Sequence, residues 1–230
     1  MIRKIAIAFT VTAFAATSAL AGSVGLNGAT ASKDKRTTSV PMGASHFTPA
    51  RMNPNKLDVI FDNIGRKYPK GLYFCCYGST VSGSSSPIGD TIYTAESFVA
   101  PSDGKITEID AGVGLAAGSN SIVLGIAADD GGVPGTLLGS GTFSGMGIFG
   151  DCCILPTVTL DQAVKIHSGQ TYWVVVEPTS ANSNTWAAWS YNSSDEVDPD
   201  TLAQFSNGSW TNYGASAPAL AYAVLGKLKT

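Results

Sequence analysis

Tyr172-Trp173-Val174-Val175-Val176 is the most strongly β-prone run in the chain, and its reading decides the fold class. Aromatic and β-branched side chains lose rotamer freedom in a helix but fit a pleated, packed surface. All five residues are of those two kinds, and Ser168-Gly169-Gln170 ahead of them reads as a turn. A run this β-prone reads as a strand, and a strand needs strand neighbours to pair with.

The neighbours are legible at short intervals on both sides, each bounded by turn residues. Leu57-Asp58-Val59-Ile60-Phe61 opens the series and Thr94 to Val99 follows. Lys105 to Leu115 alternates, placing Ile109, Ala111, Val113 and Leu115 on one face and Glu108, Asp110 and Gly112 on the other. Ser121 to Ala128 is apolar on both faces and reads as central. Leu137 to Phe143, Ile154 to Leu160, Val164 to Ile166 and Thr185 to Tyr191 come next. A hairpin about Asn207-Gly208 and a strand over Ala219 to Leu225 complete the set. No segment keeps a helical period. The expectation is an all-β, jelly-roll-like antiparallel sandwich of about nine to eleven short strands.

Composition agrees. Charged residues make up 13% of the 230-residue chain, with 26 glycines, which suits tight turns better than helices. Residues 1–21 read as a secretory signal peptide: Arg3 and Lys4, an apolar stretch from Ile5 to Leu20, and Ala19-Leu20-Ala21 as a small-x-small cleavage site. Residues 22–56 read as a flexible basic leader without hydrophobic periodicity, and residues 57–230 as the sandwich domain. The expected location is secreted or periplasmic, with no stable membrane anchor after cleavage. Charge divides along the same line. Residues 22–70 carry eight Lys/Arg against three Asp, net +5, and residues 71–230 carry four Lys against fourteen acids, net −10. A domain so acidic is not a nucleic-acid binder, whose affinity comes from Lys/Arg contacts to phosphate.

Three motifs occur together: Phe74-Cys75-Cys76-Tyr77 running to Thr80-Val81-Ser82-Gly83, the loop Asp130-Gly131-Gly132-Val133-Pro134-Gly135, and Gly169 to Val176. With them the chain resembles exported bacterial β-sandwich proteins of the choice-of-anchor kind, over roughly residues 57–226. The resemblance implies the same fold and compartment; its motifs are structural and name no ligand.

Four cysteines fall in two adjacent pairs, Cys75-Cys76 and Cys152-Cys153. In an exported chain an even count suggests disulfides. Bridges between the early and late pairs are expected over vicinal ones, because neighbouring Cα atoms, about 3.8 Å apart, lie below the usual disulfide range. A four-thiolate zinc site is the alternative, against which stands the missing Cys-x-x-Cys spacing. Gly145-x-Gly147-x-x-Gly150 matches the dinucleotide fingerprint in letters only, since no helix signal follows it.

Catalytic signals are sparse: two histidines, His46 in the leader and His167 at a strand end, and no nucleophile elbow. Glu96, Glu108 and Glu177 are the glutamates available for an acid pair. Near the C-terminus Trp189, Tyr191, Trp210 and Tyr213 are candidate ligand-contacting aromatics, set against a core role for the same rings. Asp195-Glu196-Val197-Asp198-Pro199-Asp200 is a candidate Ca²⁺ loop, set against a solvated turn; no other cofactor is expected. The leading expectation is an exported non-catalytic module with a structural or adhesive role, whose partner is an extracellular glycan or another surface protein. A carbohydrate-binding module using exposed aromatics and a secreted hydrolase are the alternatives.

Overall fold

The computed structural model describes residues 30–31, 37–39, 57–64, 73–150, 155–192, 201–214 and 217–229. In chain order its strands are β1 (Thr30–Ala31), β2 (Thr37–Ser39), β3 (Asp58–Asp62), β4 (Tyr73–Ser82), β5 (Tyr93–Val99), β6 (Gly104–Ala111), β7 (Val113–Ala117) and β8 (Ser121–Asp129). Then come β9 (Pro134–Ser144), β10 (Thr157–Ile166), β11 (Thr171–Pro178), β12 (Trp186–Asn192), β13 (Leu202–Ser206), β14 (Ser209–Gly214) and β15 (Tyr222–Leu228). No helix occurs among the described residues, so the all-β expectation holds.

Three antiparallel sheets assemble from them, in the orders β1-β2-β4-β12-β7, β10-β6-β15-β3 and β14-β13-β5-β11-β8-β9. The run that decided the fold class is β11, held between β5 and β8. Its even-numbered residues Tyr172, Val174 and Val176 enter the main core, and Trp173 and Val175 join a separate cluster on the opposite face. The main core draws on all three sheets: Val81, Ala187 and Trp189 from the first, Ile106, Val158 and Val224 from the second, Phe98, Leu124 and Ile126 from the third. The six-stranded sheet therefore has a core-facing side and an outer side.

Two strands depart from the expected boundaries for visible reasons. The alternating run from Lys105 to Leu115 keeps Ile109, Ala111 and Val113 in the core, but it breaks at Gly112 into β6 and β7, which belong to different sheets. At that corner Gly112 N–H donates to the Ala221 carbonyl (2.9 Å) and the Gly112 carbonyl accepts from Ser190 N–H (2.8 Å). A Cβ there would meet the Tyr73 ring at 3.1 Å. Conversely, the two runs expected at 154–160 and 164–166 are one strand, β10, interrupted by a bulge between Thr159 and Val164. With β4 as a further full strand, thirteen strands have five residues or more, above the nine to eleven expected.

Within the leader expected to lack order, Thr30–Ala31 and Thr37–Ser39 are strands, β2 pairing with β4 at Tyr77, Gly78 and Ser79. The signal-peptide stretch, His46, Cys152-Cys153 and the Asp195–Asp200 loop lie outside the described residues, and of Cys75 and Cys76 only the backbone, in β4, is described.

Candidate functional site

Antiparallel Cα partners project to the same face of a sheet, so the strand registers define the outer side of the six-stranded sheet residue by residue. Trp210 faces Phe205 across β14 and β13, and Phe205 faces Tyr93 across β13 and β5. One step beyond the Thr94–Val176 pair, Tyr93 meets Glu177, which in turn faces Val123 of β8 and then Thr142 of β9. One row thus runs Trp210–Phe205–Tyr93–Glu177–Val123–Thr142. The next row is Asn212–Ala203–Ala95–Val175–Gly125–Ser140, built almost wholly of small or short side chains. It is a floor beside an aromatic wall.

The ring geometry follows from this spacing. Tyr93 and Phe205 stack with centroids 4.9 Å apart and planes 12° from parallel. That separation equals the distance between neighbouring strands, about 4.7–4.9 Å, so both rings stand upright from the sheet and cover one face of each other. Trp210 is turned 66° from Phe205 at 5.7 Å and packs on the cluster of Ala95, Ala127, Trp173, Val175 and Ala203. It is half-buried over these residues. Trp173 is fully buried in that cluster, and its Nε1–H donates to Asp129 Oδ1 (2.8 Å). Asn212 ties the β14 end of this face to the β8–β9 turn by donating its Nδ2 to the Gly132 carbonyl.

Glu177 is the only ionisable carboxylate in these two rows. Burial alone raises its carboxyl above the usual glutamate value, and among the described residues no hydrogen bond or ion pair reaches it. The Tyr93 phenol is raised first by burial and then by the negative charge of Glu177, which places the two groups side by side.

The four aromatics singled out from the sequence separate here. Trp189 is a correction: it is wholly buried in the main core, its Nε1–H donating to the Ala221 carbonyl (2.9 Å) and its ring edge-on to Tyr222 at 5.7 Å. No ligand can reach it. Trp186, three residues before Trp189 in β12 and so on the other side of the strand, is also buried, because that side of β12 is covered as well: a Cβ on neighbouring Gly114 would abut the Phe149 backbone at 2.8 Å. Tyr191 is half-buried and packs against the core. Tyr213 is exposed but sits at the irregularity between the Leu202 and Ala203 pairs, out of the row. Trp210 alone of the four faces both the floor and solvent. Tyr93, Phe205 and Glu177 were not singled out for this face.

The carboxylates do not converge on a second centre of the kind an acid pair needs on this face. Glu96 is buried on the core side of the same sheet, accepting from Leu220 N–H (2.5 Å), opposite in direction to Glu177. Glu108 and Asp110 share a face of β6, two residues and so about 7 Å apart. Asp110 accepts from Thr157 Oγ1–H (2.6 Å), and Glu108 is raised by burial and then by Asp110. His167 stands at the surface with its Nδ1 3.6 Å from Asp103 Oδ1, and the Ser168 hydroxyl donates instead to the Pro101 carbonyl (3.4 Å). Asp103 is held below the usual range first by the Ser168 N–H, then by Lys229 and His167.

The glycine fingerprint is structural. Gly145 and Met146 N–H groups both donate to Asn120 Oδ1 (3.1 and 2.6 Å), and Phe149 N–H donates to the Leu115 carbonyl (2.8 Å). Donors engaged in this way are not free to cradle a pyrophosphate. Among the described residues no group of three or more His, Cys, Asp or Glu is placed to hold a metal.

No protein-family model matches the chain, and neither does any curated protein sequence. The fold and this face define the class: an all-β sandwich with a mixed aromatic and carboxylate strip on the outer side of its largest sheet.

Proposed function

We propose that the chain is an exported, non-catalytic sandwich module with an adhesive role, and that its contact surface is the outer face of the six-stranded sheet, where it binds glycans. The observation that carries this reading is Trp210, half-buried against Ala95, Val175 and Ala203 and next in the row to the stacked Phe205 and Tyr93. A flat indole held by a rigid floor offers apolar area without the entropy cost of ordering a mobile side chain, and sugar rings have an apolar face of matching shape. The reading of residues 1–21 as a signal peptide supports a role outside the cytoplasm. A glycan array probed with the wild-type chain and with Trp210→Ala tests the reading. Signals lost in the variant support it; a wild-type array no brighter than the variant's overturns it.

A secreted hydrolase is the second reading, favoured only by Glu108 and Asp110 on one face of β6, where burial and then the Asp110 charge raise the Glu108 carboxyl. Turnover abolished by Glu108→Gln in a chain that hydrolyses oligosaccharides would establish it.

A further inference from the structure

We propose that this face selects glycans carrying free amino groups, with Glu177 and the open face of Tyr93 receiving the ammonium; the proposal rests on the glycan reading above. Three observations converge on Glu177. Its carboxylate stands in the aromatic row with apolar Val123 on its far side and Val175 and Gly125 in the row beside it. Among the described residues it has no hydrogen bond or ion pair. And it faces the side of Tyr93 that the Phe205 stack leaves uncovered, since stacking uses the opposite side of the ring. An aromatic face is negative, so a carboxylate set against one is poorly placed alone. A cation between them is attracted by both, and the attraction grows as the group is shielded from water.

The cation is organic. Calcium takes six to eight oxygens and magnesium six, whereas this row offers one carboxylate, one phenol oxygen and, two strands from Glu177, the Thr142 hydroxyl. An ammonium on an apolar ring matches the surroundings instead. The distance to the platform fits a short oligosaccharide: Trp210 and Glu177 are three strand spacings apart, about 14 Å. The net charge of −10 over residues 71–230 draws cationic chains to the domain as a whole.

Isothermal titration at a pH just below neutral tests this with β-1,4-linked oligomers of glucosamine, of N-acetylglucosamine and of glucose, against wild type, Glu177→Gln and Trp210→Ala. The wild type is expected to bind the glucosamine oligomer about tenfold more tightly than the other two, with the margin narrowing as salt rises. Glu177→Gln should level the three affinities without abolishing binding, and Trp210→Ala should abolish all three. Equal affinities in the wild type, or a preference that survives Glu177→Gln, overturn the amine selectivity and leave the glycan reading standing. Failure of every oligomer to bind overturns both. Superimposable circular dichroism spectra for the three proteins exclude misfolding as the cause of either result.

Discussion

Replacing Trp189 by alanine should cost the fold about 3–5 kcal/mol, the range for removing a fully buried large aromatic. The structure supplies the reasons. The indole has no exposed surface, and its edge-on contact with Tyr222 is of a kind worth roughly 0.5–1.5 kcal/mol beyond area alone. Its N–H satisfies the Ala221 carbonyl in a segment that also receives Gly112 N–H, where strands pass between two sheets. The same carbonyl still accepts from Gly112 N–H (2.9 Å), so losing the indole donor removes one of its two hydrogen bonds and the cavity dominates the cost. Trp189→Phe should be milder, retaining ring volume but losing the donor. Urea unfolding followed by far-ultraviolet circular dichroism is the assay, since fluorescence would change with the residue itself. The midpoint should fall while the slope stays constant, the sign of a stability change without a change in compactness. A surface tryptophan would cost within about 0.5 kcal/mol. A loss that small for Trp189→Ala would refute its placement in the core.

Further outcomes follow from other positions. Gly226→Ala would push a Cβ into the Lys105 carbonyl on the neighbouring strand; a loss of about 1–3 kcal/mol in the same urea assay is expected from such overpacking. Gly208→Ala, at φ 84° in the β13–β14 turn, should cost about 1–2 kcal/mol for a left-handed alanine, seen as a lower melting temperature. Glu177 gives a pH signature. Its folded carboxyl titrates above the unfolded one, so its contribution to stability is complete below the unfolded value and is lost as pH rises through the folded value. Glu177→Gln should therefore melt higher than wild type at neutral pH, with the gap closing on acidification; an unchanged gap across that range would contradict the burial of the carboxylate.

Much of this architecture is legible in the sequence, because an unbroken β-branched and aromatic run such as Tyr172 to Val176 favours a strand over a helix. The Asn207-Gly208 hairpin is equally direct: both residues adopt positive φ, 52° and 84°, as the two-residue turn demands. That turn also contained a signal for the site. A two-residue loop between Ser206 and Ser209 obliges Phe205 and Trp210 to face each other, so half of the aromatic row could be read from spacing. Tyr93 and Glu177 could not, because their neighbours are 112 and 84 positions away along the chain, set by sheet order rather than by local pattern. The error over Trp189 has a related cause. Alternation assigns residues to two faces of a strand, but in a layered sandwich both faces of β12 are covered, and sequence parity cannot say so.

The most direct test of the proposed contact face is the chemical accessibility of the four tryptophans. Trp173, Trp186 and Trp189 are 0%, 5% and 0% exposed, and Trp210 is the half-buried exception. Limited oxidation with N-bromosuccinimide followed by peptide mass mapping should modify one tryptophan quickly, Trp210, and a bound glycan should protect it. Rapid modification of Trp189, or a Trp210 that reacts equally with and without saturating glycan, would contradict the account.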